Sequence, residues 1–148
     1  MEIFFSAGHT VDSVSGSQYH AGSVVVFDKV LSQLGPGYDS TTGEFTCLTS
    51  GFYEFTLHLV NFSDKRGNKF QLMKNNDSIV DAFLLERGGS FSYSIIMQLE
   101  VGDVIKVASF GNSSLFSLTG NVVSIFSGQL ISYTGRLGEY LVPLHVNL

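Results

Sequence analysis

Between Phe52 and Phe62 the chain alternates without interruption. Tyr53, Phe55, Leu57 and Leu59 fall on one side of an extended backbone, and Glu54, Thr56 and His58 on the other. A period of two over that length marks a strand with one buried face and one wet face. The approach to it is punctuated. Gly35-Pro36-Gly37-Tyr38-Asp39 and Thr42-Gly43 mark two turns, because proline presets φ and glycine takes positive φ without strain. A short strand at 45–48 follows, and Gly51 breaks the chain again just ahead of the long one.

The rest of the chain repeats this grammar. Residues 2–7 (EIFFSA) and 23–27, with its VVVF run, read as strands, and the Ser- and Gly-rich stretch 9–22 reads as a loop with at most a short edge strand. Residues 28–34 could pass for a helical turn. They are too few to persist as an isolated helix, and Gly-Pro-Gly stops them. Strands are predicted at 69–74, 78–85, 91–99, 104–110 and 121–133, separated by Asn75-Asn76-Asp77, Arg87-Gly88-Gly89-Ser90, Glu100-Val101-Gly102-Asp103 and the polar loop 111–120. Gly128 inside the last strand signals a bulge or the close approach of another backbone. About ten short strands at ~8–12-residue spacing, with no amphipathic helix of useful length, predict an all-β sandwich or barrel and exclude βαβ units.

Composition narrows the function. The 148 residues fit one domain, and 44% apolar with 14% charged residues describe a packed globule. A net charge of −5 argues against nucleic acid, which requires a basic patch. Lys65, Arg66 and Lys69, flanked by Asp64, read as a solvated hairpin loop. The single cysteine, Cys47, excludes an internal disulfide and reads as a small buried hydrophobe. No apolar run reaches the ~20 residues of a membrane span. The start MEIFFSAGH has neither the basic region nor the long apolar core of a signal peptide, and a domain cut from a longer secreted precursor would explain this. The histidines His9, His20, His58 and His145 are dispersed, with no metal-ligand spacing and no nucleophile elbow, so an enzyme is not expected.

Taken in order, several blocks resemble the globular domain of the C1q family, within the tumour-necrosis-factor-like jelly rolls. They are IFFSAG at the start, Val25-Val26-Phe27-Asp28-Lys29-Val30, Tyr38-Asp39, Thr42-Gly43 and Phe45-Thr46-Cys47. Gly51-Phe52-Tyr53-Glu54-Phe55, Leu72-Met73-Lys74-Asn75, Leu99 through Val104 and Phe126-Ser127-Gly128-Gln129-Leu130 complete the set. The resemblance spans about 2–133 and implies a ten-stranded jelly roll of two antiparallel sheets that assembles as a homotrimer. On it, 1–133 is the globular domain and 134–148 is a tail beyond the usual last strand. Phe27, Tyr38, Gly43, Phe45, Gly51, Tyr53, Phe55, Gly102, Asp103, Phe126 and Gly128 form the fold and trimer signature. Phe45, Tyr53, Phe55, Phe91, Phe110 and Phe126 exceed what one small core uses, so some are expected at a subunit interface. The alternative is that all are internal. Ile105 stands where the family often has Trp, and the collagen-like Gly-X-Y repeats of its stalked members are not in this sequence.

The resemblance also implies a candidate calcium site. Asp81 falls near one family carboxylate position and Gly89 near the other, so Asp81 is either a calcium ligand or a solvated strand residue. Asn61-Phe62-Ser63, Asn76-Asp77-Ser78 and Asn112-Ser113-Ser114 match the N-glycosylation pattern, with Asn76 and Asn112 in predicted turns. The implied function is a secreted, non-catalytic head that binds glycans or microbial surfaces in innate immunity. A trimeric signalling ligand for a cell-surface receptor and a structural extracellular trimer are the alternatives.

Overall fold

The computed structural model describes residues 2–10, 17–60, 68–84, 89–115 and 122–134. Twelve strands run through them: β1 (Phe4–Gly8), β2 (Ser17–Tyr19), β3 (Lys29–Leu34), β4 (Tyr38–Asp39), β5 (Glu44–Thr46), β6 (Gly51–Val60), β7 (Asn68–Lys74), β8 (Asp77–Leu84), β9 (Ser90–Leu99), β10 (Val104–Ser109), β11 (Ser113–Leu115) and β12 (Ile125–Tyr133). They form two five-stranded sheets, β3-β1-β12-β6-β9 and β4-β5-β10-β7-β8, and a small ribbon, β11-β2. Every pairing is antiparallel, and most neighbours in the sheets are distant in sequence. This is the all-β, two-sheet jelly roll that the sequence predicts.

The alternation in β6 explains the layering. Tyr53, Phe55, Leu57 and Leu59 turn inward and are almost fully buried, while Glu54, Thr56 and His58 face out. Opposite them, Phe70 and Leu72 of β7 and Ile105 and Val107 of β10 project inward from the second sheet. The space between is filled by rings. Phe5 stacks on Tyr38 at 4.3 Å between centroids and meets Phe126 edge-on at 5.1 Å, and Phe45 lies 5.6 Å from Phe55. Each buried ring stabilises by about 1.5–3 kcal/mol through burial, and ring pairing adds about 0.5–1.5 kcal/mol. Tyr38 keeps its hydroxyl satisfied by donating to the Phe27 carbonyl at 2.6 Å, and burial pushes its phenol pKa up.

Gly128 sits where these rings crowd the sheet. A Cβ there would lie 2.7 Å from ring carbons of both Phe5 and Phe55. The close approach foreseen at this glycine is therefore made by side chains and not by another backbone. The bulge in β12 lies further along, between Leu130 and Ser132.

Four other expectations change. Residues 23–27 make only one bridge, Val24 to Ala108, although Val25 N donates to Val107 O at 2.8 Å. The stretch runs along the part of the β10 edge that short β5 leaves open. Residues 29–34 form an edge strand, because β1 offers them a free edge. The loop at 111–120 contains β11, which pairs with β2. Lys69 belongs to β7, where the strand predicted at 69–74 places it, and not to the solvated loop read for it together with Lys65 and Arg66.

Candidate functional site

The two sheets present outer faces of different chemistry. Across the first sheet, aligned residues form rows. One row is Ser32, Ser6, Ser127, Thr56 and Ser94, a hydroxyl from each of the five strands. Thr56 and Ser94 are hydrogen-bonded at 2.8 Å. The next row is Leu34, Phe4, Gln129, Glu54 and Ile96. Its one carboxylate, Glu54, accepts a hydrogen bond from Gln129 at 3.0 Å. Ile96 is 60% exposed and Ile131 50%, and Phe4 and Phe52 are also open to solvent. Exposed branched and aromatic side chains gathered on one face form an apolar patch of the kind that marks an interaction surface.

The second sheet is laced with ions. Lys69 pairs with Asp81 at 3.2 Å, Lys74 with Asp103 at 3.8 Å and Lys106 with Glu44 at 3.8 Å. The Lys69 ammonium also lies 4.0 Å from the Phe110 ring centroid and 5.0 Å from that of Phe83. Beside this cluster a groove of about 500 Å³ crosses β7 and β10. Met73 and Ala108 form its apolar floor, and Phe110 walls one end. Gln71, Asn76 and Lys106 bring polar groups to it, and the Ala21-Gly22 turn closes one side.

A third cluster lies inside. His9 is fully buried and shares a hydrogen bond with the Tyr19 hydroxyl, which ties the end of β1 to the β2-β11 ribbon. Burial lowers the imidazole pKa to about 4, and the Asp28 carboxylate only partly offsets this. Asp28 is itself partly buried, which raises its pKa. Hydrogen bonds from the Thr10 hydroxyl and backbone outweigh that and hold it below the usual range. A neutral, enclosed histidine of this kind is a structural polar contact.

The residues singled out from the sequence divide among these regions. Phe27, Tyr38, Phe45, Tyr53, Phe55 and Phe126 are all core. None of the six aromatics considered for a subunit interface lies on the first-sheet outer face. Phe45, Tyr53, Phe55 and Phe126 are internal, Phe91 packs against the core, and Phe110 is at the groove. The rings on the first-sheet face are Phe4 and Phe52, which alternation places outside. Gly43 takes φ +77°, and a Cβ there would lie 2.5 Å from the Val25 carbonyl oxygen, so only glycine fits. Gly51 abuts the Ser132 carbonyl, and Gly102 turns β9 into β10. Asp103 caps that turn by accepting from Glu100 N at 2.8 Å, which, with Asn75 and Lys74, keeps its carboxyl below the usual range. Cys47 is buried, its thiol donates to the Thr49 carbonyl, and burial raises its pKa.

Asp81 is exposed on the outward side of β8. Its carboxylate accepts from Gln71 and Ser78 and pairs with Lys69, which together hold its pKa below the usual value. Calcium takes six to eight oxygens. One chain offers this single engaged carboxylate, and no cluster of three or more His, Cys, Asp or Glu suited to a metal occurs among the described residues. The resemblance implies a site shared at a three-fold axis, to which each of three copies would bring one Asp81. Asn76 and Asn112 are exposed, and Asn61 lies outside the described residues, as do Lys65 and Arg66 and residues 135–148 of the tail. The hydroxyl row and the groove were not foreseen. Both depend on cross-strand register, which local sequence does not encode.

A two-sheet jelly roll, with one outer face of hydroxyls and apolar side chains around a single carboxylate and one ion-paired, grooved face, defines the class as a β-sandwich. The chain belongs to the C1q domain family, whose match covers residues 4–131. It is similar to human complement C1q and tumor necrosis factor-related protein 9B, 38% identical over 82 residues, covering 53% of this chain and 24% of that protein. Human protein 9A of the same series is 36% identical over 84 residues, covering 55% of this chain and 24% of that one. The chain thus spans about a quarter of the length of these curated relatives. The fold is shared with the globular domain of zebrafish complement 1qA protein, with a TM-score of 0.63, 24% identity and coverage of 90% and 100%. It is shared also with murine APRIL, with a TM-score of 0.67, 10% identity and coverage of 88% and 100%. No helix among the described residues is long and apolar enough to cross a membrane.

Proposed function

We propose that this chain is a non-catalytic extracellular recognition head, with three copies joined through their first-sheet outer faces. The second-sheet faces point outward and meet glycans of microbial surfaces in innate immunity. The observation that carries this reading is the first-sheet face, where a five-strand hydroxyl row runs beside Leu34, Phe4 and Ile96 and the rows hold a single carboxylate, Glu54, already met by Gln129. Covering such a face removes apolar area from water and desolvates fewer charges than covering the ion-paired second sheet. The groove supplies what a saccharide needs, since Phe110 and Met73 suit its C–H faces and Gln71, Asn76 and Lys106 its hydroxyls. Three grooves on one rigid body would raise weak single-site affinity.

Sedimentation tests the assembly: a monomer at micromolar concentration overturns it. A glycan array tests the ligand class, with saturable signal expected that Phe110→Ala reduces. A second reading, a trimeric ligand for a cell-surface receptor, is favoured by the likeness to tumor necrosis factor-related proteins. Saturable binding to one receptor ectodomain with a blank array would select it.

A further inference from the structure

The hairpin tip between β7 and β8 carries a pair of asparagines with different employment. Asn75 takes φ 57° and commits its side chain to the turn, donating to Asp103 Oδ1 at 3.1 Å and accepting from Val104 N at 2.9 Å. Asn76 is exposed, its carboxamide makes no hydrogen bond among the described residues, and it opens the Asn76-Asp77-Ser78 acceptor pattern. It also lines one end of the groove whose other end is the Phe110 ring. Asn112 is exposed too, but it does not line the groove.

We propose that Asn76 carries an N-linked glycan whose first sugars lie along this groove toward Phe110, so that the chain's own glycan governs access to it. The inference rests on the extracellular reading above, because only the secretory pathway attaches such a glycan. The covalent anchor holds the sugars at high effective concentration over Met73 and Ala108, so even weak contacts suffice. The tethered sugars compete with an outside saccharide for the groove, so Asn76→Gln should raise the glycan-array signal.

The full chain, directed through the secretory pathway of a eukaryotic cell line, is expected to exceed its sequence mass by a core glycan. The excess should vanish at Asn76 in both Asn76→Gln and Ser78→Ala, and reading the intracellular pool as well prevents poor secretion from hiding it. With methionine methyls labelled, the Met73 signal should shift between glycosylated protein and Asn76→Gln, while Met97 on the first sheet stays put. Phe110→Ala should speed endoglycosidase release of the glycan several-fold. Unmodified Asn76 overturns the proposal, and so does a glycan that leaves both the Met73 signal and the release rate unchanged. Either result in a secreted trimer leaves the recognition reading standing. A secreted monomer that carries the glycan overturns the assembly and leaves this inference intact.

Discussion

On the outer face of the first sheet, five strands contribute hydroxyls and apolar side chains, and the one carboxylate of those rows, Glu54, is met by an amide. On the outer face of the second, each of β5, β7, β8 and β10 contributes to an ion pair, and Lys69 lies against two rings. Both sheets close over the same core, so the difference concerns what each face meets. Desolvating a charge costs far more than desolvating a hydroxyl or a methyl. Covering the first face desolvates one carboxylate of those rows, Glu54, already met by Gln129, whereas covering the second would desolvate three ion pairs. In the proposed trimer, the two surface chemistries would assign assembly to the first sheet and presentation to the second.

The largest perturbation should erase the contrast altogether. Gly128→Val forces a side chain into Phe5 and Phe55, and a loss of more than about 4 kcal/mol is expected. Denaturant unfolding would measure it, and a near-native midpoint would show that the rings yield. Acid acts next, from beneath both faces. The His9 pKa is about 4 when folded against an ordinary value of 6.5, so the unfolded chain binds the proton first. Stability should fall by about 3 kcal/mol as pH drops from about 6.5 to about 4. The depressed carboxyls of Asp28, Asp81 and Asp103 lose their contribution only below that window. His9→Gln should flatten this slope in thermal melts taken across pH.

The third perturbation tests the contrast directly. Ile96→Glu places a charge on the first-sheet face and should raise the trimer dissociation concentration at least about 100-fold. Phe83→Glu, at an exposed apolar site on the second sheet, should leave sedimentation unchanged. Equal effects would mean that the faces do not differ in role. The smallest effect belongs to Lys69→Met, which removes an ion pair and two cation–π contacts. About 1 kcal/mol of stability should be lost, with assembly untouched.

Much of the scaffold was legible because strand alternation is local. The period of two in β6 assigns Tyr53 to the core and Glu54 to the surface with no knowledge of the partner strand. Turns at Gly43 and Gly102 were legible for the same reason, since backbone conformation there is a property of the residue. The edge strand β3 was not, because Lys29–Leu34 extend only where β1 offers unpaired backbone groups. Lys69 was read both as the start of the strand 69–74 and with a charged loop, and its neighbours in space, Phe83 and Phe110, decide for the strand.

The resemblance to the C1q family implied the jelly roll. By itself, then, the sequence determined which side chains turn inward, where the chain reverses, and that the fold is an all-β sandwich or barrel. Those properties depend on spacing along one strand. Only the tertiary structure decided which outward residues share a face. Ser32, Ser6, Ser127, Thr56 and Ser94 come from five separate stretches, and Asn76 and Phe110 bound one groove although three strands separate them in the chain. Antiparallel register aligns them, and register is set by pairing between strands far apart in sequence.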